Sequence, residues 1–125
     1  MKLMQRFILS RSAEKRLVYF YGMVTVDEHV WLLRDKAGDL LMFEDKADYP
    51  FLLPVWPSRS FAETVAEKID EPYEAFNITL SSFVDDLLVR IEKDGGAAAI
   101  FPNGHDTITQ TREEIKEMLR TIEKQ

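Results

Sequence analysis

Three residues have the types and the spacing to wall a binding pocket: Trp31, Trp56 and Arg59. Trp56 lies between two prolines at the end of an apolar run, and Arg59 follows it at the start of a predicted helix. A guanidinium group, an indole face and the free N–H groups of a helix N-terminus can together hold a flat or anionic group. On this interpretation the three residues would wall a shallow pocket for a small molecule.

A structural role for the same three residues is the interpretation that the sequence favours. An indole is a large apolar group with one polar atom, so a tryptophan at the end of a strand is well suited to anchoring a joint in the core. Trp56 would then pin the strand to the following helix. Arg59 would lie in solvent or form an ion pair with a nearby acid such as Asp35.

The other chemistry-bearing residues form no recognisable catalytic or metal-binding pattern. The two histidines, His29 and His105, each lie beside an acid in a predicted turn, without the several ligands that a strong zinc or iron site needs. The serines lie at predicted helix starts, where capping explains them, and no Gly-x-Ser-x-Gly elbow is present. Gly95-Gly96 lacks the Lys-Ser/Thr that follows a phosphate loop. We therefore expect no catalytic residue, no metal and no cofactor.

Composition indicates one acidic, folded domain. A chain of 125 residues with 46% hydrophobic and 30% charged residues fits a single domain over residues 1–125, with residues 1–10 as a flexible or edge segment. Because 22 acids outweigh 16 bases, a nucleic-acid partner is not expected. The absence of cysteine excludes disulfides and thiol chemistry. The N-terminal apolar run is too short for a signal peptide or a membrane span, so we expect a cytoplasmic protein with no membrane partner.

Apolar residues at helical spacing predict four helices, which begin near Ala13, Phe61, Leu80 and Thr111. Ser60 precedes Glu63 by three residues, which is the spacing of a capping box, so the second helix should start at Phe61. The same spacing recurs at Thr111 and Glu114, before the last helix.

Short runs of β-forming residues predict strands at residues 30–34, 40–44, 51–56, 74–78 and 97–101, with a brief further strand near 107–109. The first two should form a hairpin whose turn places Gly38 in the left-handed conformation. Pro54 has no N–H to donate, so its strand should lie at a sheet edge or finish at a bulge. The order of elements predicts a single α+β domain, in which a sheet of about five short strands carries three to four helices mainly on one face.

Several motifs between residues 13 and 101 carry a resemblance to a known family. They are Tyr19-Phe20-Tyr21, Val30-Trp31-Leu32-Leu33, Leu53-Pro54-Val55-Trp56-Pro57-Ser58 leading into Phe61-Ala62, and Ile78-Thr79-Leu80 before Phe83. In these motifs the chain resembles a family of small bacterial proteins catalogued as domain of unknown function 2750. It departs from that family at Asp70-Glu71-Pro72, where members often carry another tryptophan. The resemblance implies an α+β domain in the bacterial cytosol and brings no established reaction, so it assigns no catalytic residue.

The unusual residues of this chain are aromatic and helix-capping rather than acid–base, and this predicts a function in binding. We expect a non-enzymatic protein-interaction module of the adaptor or immunity type, which binds a protein partner or itself and is a monomer or a homodimer. The alternative is a small-molecule-binding domain or a modest hydrolase with a pocket near Trp31, Trp56 and Arg59.

Overall fold

Residues 3–44 and 48–123 are described by the computed structural model, and they fold into short helices and five strands. In chain order the elements are α1 (Leu3–Leu9), α2 (Ala13–Asp27), β1 (His29–Arg34), β2 (Leu52–Val55), α3 (Arg59–Ala66), β3 (Glu74–Thr79), α4 (Leu80–Ser82), a π-helical segment (Phe83–Leu87), α5 (Leu88–Lys93), β4 (Ala97–Ile100), β5 (Ile108–Gln110) and α6 (Arg112–Glu123). The architecture is α+β, as the order of predicted elements indicated.

The strands form two small sheets, so the prediction of one five-stranded sheet was wrong. One sheet pairs β1 with β3 antiparallel, and the other has the order β2-β4-β5, with β2 and β4 parallel and β5 antiparallel. An isolated antiparallel bridge joins Trp31 of β1 to Trp56, which follows β2, through two N–H···O bonds of 2.9 Å.

Proline explains why β1 and β2 do not continue as a ladder. The next hydrogen-bonded pair after Trp31–Trp56 would bring Leu33 opposite Pro54, and Pro54 has no N–H to donate. The carbonyl oxygen of Leu33 instead accepts the N–H of Leu41 at 2.9 Å. The two sheets are therefore separate at the point where Pro54 would have to donate an N–H to β1.

The outer edge of β2 confirms the predicted edge position of Pro54. The N–H groups of Leu52 and Trp56 point to that edge and donate to the carbonyl oxygens of Phe43 and Trp31, at 2.8 and 2.9 Å. Pro54 lies between them on the same side, where no ladder donor is needed. The opposite side of β2 pairs with β4.

Residues 40–44 do not form the predicted strand. They contribute isolated bridges, from Leu40 to Arg34 and from Phe43 to Leu52, because they cross from one sheet to the other. The turn before them is as predicted: Gly38 has φ +90°, and the Asp35 carboxylate accepts the backbone N–H groups of residues 37 and 39, both at 2.9 Å.

Helix starts agree with the sequence at α6 and differ at α3. At α6, the Thr111 hydroxyl accepts the Glu114 N–H at 3.2 Å and the Glu114 carboxylate accepts the Thr111 N–H at 3.0 Å, which confirms the capping box. Helix α3 begins at Arg59 rather than at Phe61, so Ser60 lies inside its first turn and cannot be its N-cap. The capping box predicted for Ser60 was therefore wrong.

The core lies where α2 and α3 meet the two sheets. Helix α3 packs against β1 and β3, and α2 packs against β1, β4 and β5. The largest fully buried side chains include Phe20, Tyr21, Trp56, Phe61, Phe83 and Phe101. No helix in the described part of the chain combines the length and the apolar run that a membrane span requires.

Candidate functional site

Trp56 is buried at the junction of the two parallel strands. Its side chain is fully buried, and its indole N–H donates to the carbonyl oxygen of Pro102 at 2.9 Å. Trp56 follows β2 and Pro102 follows β4, so this bond ties together the carboxyl ends of both strands. Its apolar surface packs in the core while its one polar atom is satisfied.

Trp31, whose backbone pairs with that of Trp56, is in contact with the side chain of Arg59. The guanidinium carbon of Arg59 lies 4.8 Å from the centroid of the Trp31 ring, which is within the range of a cation–π contact. Arg59 is exposed and Trp31 is partly buried. The structure thus brings together Trp31 and Arg59 at the surface and directs Trp56 to the core. The Asp35 carboxylate, considered as a partner of Arg59, accepts backbone N–H groups of its own turn.

Helix α1 covers the first turn of α3. The Gln5 side-chain amide donates to the Ser60 hydroxyl at 2.6 Å, and the Asn103 side-chain amide donates to the Leu9 carbonyl oxygen at 2.9 Å. Segments that follow β2 and β4 therefore both contact α1. Within residues 1–10, expected as a flexible or edge segment, Leu3–Leu9 form a short helix over the carboxyl ends of the parallel strands.

The loop from Phe101 to Thr107 is organised by a buried arginine. Arg16 is only 1% exposed. Its Nε donates to the Phe101 carbonyl oxygen at 2.9 Å, and its Nη2 lies 2.7 Å from both the carbonyl oxygen and Oδ1 of Asp106. Phe101 itself has φ +52°, a conformation that costs a non-glycine residue free energy. The loop is thus held in one strained conformation.

Two shallow hollows adjoin this loop, and both are lined by Lys68 and His105. Their volumes are about 430 and 400 Å³. A further hollow of about 580 Å³ lies at the turn after β1, where Arg34 and Glu74 form an ion pair of 2.7 Å. All of these hollows are lined by residues other than Trp31, Trp56 and Arg59.

Neither histidine belongs to a group of metal-ligating side chains in the described structure. His29 Nδ1 is 2.7 Å from the Asp27 carbonyl oxygen, and His105 is exposed in the loop after β4. Across residues 3–44 and 48–123, no three side chains of the His, Asp or Glu type gather closely enough to hold a metal ion.

Tyr21 and Gln110 form the buried polar pair of the core. The Tyr21 hydroxyl donates to the Gln110 side-chain oxygen, and burial, with a smaller contribution from the Glu114 carboxylate, raises the pKa of Tyr21 well above its ordinary value of 10.0. A tyrosine that resists ionisation in this way serves as a neutral donor, so the pair joins α2 to β5 without a charge.

These features define a small α+β domain with a rigid loop at the carboxyl ends of its parallel strands. Comparison with protein families matches residues 17–120 to the family described as "Protein of unknown function (DUF2750)". The chain belongs to this family. A search of curated proteins found no match.

Lys68, His105 and Arg16 are residues that the sequence alone did not nominate. Arg16 had a local signal, because it lies at i+3 from Ala13 and i−4 from Phe20, on the buried side of α2. His105 follows a turn that comes directly after a buried strand, and polar groups at the ends of parallel strands often line binding sites. Lys68 had no such signal, since its contact with Asn103 spans 35 residues.

Proposed function

We propose that the protein is a non-enzymatic interaction module of the adaptor or immunity type that acts in the cytoplasm. The observation that supports this proposal is the exposed apolar surface of α1. Leu3 is 83% exposed, Met4 69% and Phe7 55%. We call these three side chains the α1 patch. Contiguous apolar side chains that remain in water are typical of sites that bind another protein.

The three side chains of the α1 patch share one side of the helix. Phe7 follows Leu3 by four residues and Met4 by three, and residues at these two spacings are neighbours on a helical surface. Seven residues make a helix of roughly 10 Å. A patch of this size fits an apolar groove of a partner and is short for a helix that lies in a lipid interface.

Charge indicates the chemistry of the partner. The Arg11 guanidinium carbon lies 5.0 Å from the centroid of the Phe7 ring, at the border of the α1 patch. Residues 1–15, which precede the buried Arg16, contain four Lys and Arg residues and one acid, although the whole chain has a net charge of −6. We therefore propose a protein partner whose apolar groove is rimmed by carboxylates, since such a rim complements this basic segment.

Affinity capture with a matched variant tests this proposal. The full chain is immobilised and exposed to a lysate of the organism that encodes it, beside Met4→Ser/Phe7→Ser and Val26→Ser variants. Val26 is 79% exposed and lies outside the α1 patch, so it controls for the loss of an apolar side chain. We expect one stoichiometric protein with the native chain and with Val26→Ser. The double variant should bind the purified partner at least about tenfold more weakly.

Three outcomes would contradict the proposal. The first is capture that the double variant leaves unchanged, and the second is the absence of any stoichiometric protein. The third is a dimer in light scattering that the double variant converts to a monomer, because the α1 patch would then bind a second copy of the chain. Binding that fails to weaken between roughly 0.05 and 0.5 M salt would refute the carboxylate rim.

A small-molecule site at Trp31 and Arg59 is the second candidate, supported by their exposed cation–π contact. A flat anionic ligand would add to this stack or displace the guanidinium from the ring. A ligand panel read by thermal shift tests it, since a ligand at a hundred times its Kd stabilises by about 2.7 kcal/mol. A stabilising ligand that works equally well on Arg59→Ala would exclude this site.

A further inference from the structure

Two adjoining hollows lie beside the loop after β4 and share Lys68 and His105. The polar hollow, about 430 Å³, is lined by hydroxyl, amide and basic side chains. The apolar hollow, about 400 Å³, has Phe43, Val65 and Pro102 among its lining residues. Each volume is typical of a small-ligand pocket, roughly 300–1,000 Å³. Neither hollow includes the α1 patch, so the two surfaces can be tested separately.

The polar hollow has the charge of an anion site. Its ionisable side chains are those of Arg6, Lys68 and His105, and none of the described residues that line it is acidic. This local excess of bases contrasts with the 22 acids and 16 bases of the whole chain. Lys68 Nζ lies 3.4 Å from the Asn103 carbonyl oxygen, which places the ammonium beside the loop. Converging basic groups of this kind attract an anion.

The apolar hollow adds a surface for an uncharged body. Val65 is buried and Ile69 partly buried, and both line the hollow on the side of α3. Among its described lining residues the acid is Asp106, whose Oδ1 lies 2.7 Å from Arg16 Nη2. Because the Arg16 guanidinium neutralises the charge of this carboxylate, the apolar hollow would not repel a ligand whose anionic group lies in the polar hollow.

Hydrogen bonds hold the loop between the two hollows in place. Arg16 Nε donates to the Phe101 carbonyl oxygen at 2.9 Å. The Trp56 indole donates to the Pro102 carbonyl oxygen at the same distance. The Asn103 side-chain oxygen accepts the backbone N–H groups of His105 and Asp106, at 3.0 and 3.1 Å. A loop fixed in this way loses little conformational entropy when a ligand binds.

We propose that the two hollows form one binding site for an organic anion, with a phosphate or carboxylate group attached to an apolar body. The anionic group lies against Lys68, Arg6 and His105. The apolar body covers Val65 and Ile69. Binding by this site requires both parts of the ligand, since the cations and the apolar floor belong to different hollows that meet at Lys68 and His105.

Calorimetry with three probes tests the site on the full chain. Octyl phosphate carries both parts of the proposed ligand, inorganic phosphate carries the anion alone, and octanol carries the apolar body alone. We expect octyl phosphate to bind at least about tenfold more tightly than either of the others. Lys68→Gln should weaken its binding at least about tenfold, because a charge-assisted hydrogen bond is lost. Lys93→Gln, on a lysine that lines neither hollow, should leave its binding unchanged.

The same variants define the results that would overturn the proposal. Lys68 and His105 are exposed, so Lys68→Gln and His105→Gln should melt at the temperature of the native chain. Octyl phosphate that binds Lys68→Gln as tightly as it binds the native chain would overturn the site. Equal affinity for inorganic phosphate or for octanol would overturn its two-part nature.

Sedimentation with vesicles distinguishes a free organic anion from a lipid headgroup. Phosphatidylglycerol vesicles present the same phosphate and apolar chemistry, and phosphatidylcholine vesicles serve as the neutral comparison. Sedimentation with the former that is lost in Lys68→Gln identifies a lipid as the source. Octyl phosphate binding without sedimentation identifies a free molecule.

Discussion

Replacing Arg16 with methionine tests whether the loop after β4 depends on the buried guanidinium. Arg16 Nε donates a hydrogen bond to the buried carbonyl oxygen of Phe101. Its Nη1 and Nη2 donate to the partly buried carbonyl oxygens of Arg11 and Asp106, at 2.6 and 2.7 Å. Methionine keeps the apolar stem and removes every donor. The Phe101 oxygen would then be buried without a partner, which costs about 1–3 kcal/mol.

The other contacts add less to this free energy. Water can reach the Arg11 and Asp106 oxygens, so each lost bond costs about 0.5–1.5 kcal/mol. The Asp106 carboxylate is 59% exposed, so its ion pair adds at most about 1 kcal/mol. Relief of the buried guanidinium's desolvation offsets part of the total. We expect Arg16→Met to lower the free energy of unfolding by about 2–4 kcal/mol, from the roughly 5–15 kcal/mol of a typical domain.

Urea unfolding followed by tryptophan fluorescence and far-ultraviolet circular dichroism measures this loss. Asp106→Asn is the matched control, because it removes the ion pair and keeps all of the carbonyl acceptors of Arg16. It should lose less than about 1 kcal/mol. If Asp106→Asn lost as much as Arg16→Met, or if Arg16→Met lost less than about 1 kcal/mol, the carbonyl oxygens would not be what Arg16 stabilises.

Four further substitutions have defined outcomes. Tyr21→Phe should cost about 1–3 kcal/mol in urea unfolding at pH 7, because it leaves the buried Gln110 oxygen without its donor. Burial raises the pKa of Tyr21 above 10.0, so its neutral form stabilises the fold fully below pH 10.0. This stabilisation is lost as the pH rises through the folded-state pKa. A difference in the free energy of unfolding between the native chain and Tyr21→Phe that stays constant above pH 10.0 would contradict this. Thr111→Ala should lower the free energy of unfolding by about 0.5–2 kcal/mol, because α6 loses its cap. Ser60→Ala should lower it by less, since Ser60 is not a cap. The reverse order would be evidence against the observed start of α3. Arg59→Ala should cost no more than about 1 kcal/mol by thermal unfolding, whereas a larger loss would show a structural role.

Features encoded within a few residues were predictable from the sequence. Gly38 takes the left-handed conformation because the turn around it requires positive φ. Thr111 and Glu114 cap α6 because both halves of the capping box lie in one turn. Pro54 marks an edge because it lacks the donor that an inner strand needs. In the first two cases the residues that interact are near neighbours in the chain, and in the third a single residue carries the signal.

Features that depend on distant partners were not predictable. Ser60 has the spacing of a cap, but its hydroxyl accepts from Gln5, 55 residues away, inside the first turn of α3. The hydrogen-bond acceptors of Arg16 in the loop after β4 lie 85 and 90 residues along the chain, so its spacing within α2 could indicate a buried side but not these partners. The division into two sheets required the register between Leu33 and Pro54, which follows from the fold rather than from either strand.

The candidate site shows the same limit. Trp31, Trp56 and Arg59 were selected as unusual residue types, and the structure places Trp31 and Arg59 in contact at the surface. Their types suggested chemistry without indicating which side of the strand each would occupy. The hollows at Lys68 and His105 consist of ordinary residue types, and only their assembly in space makes them a candidate.

The bridge between Trp31 and Trp56 makes the junction of the two sheets measurable by amide hydrogen exchange. Each tryptophan donates its backbone N–H to the other across the junction, at 2.9 Å. If the sheets separate before the chain unfolds, these two amides will exchange faster than those of Leu32 and Val55 beside them. If all four exchange together, the two sheets open as one cooperative unit despite their separate ladders.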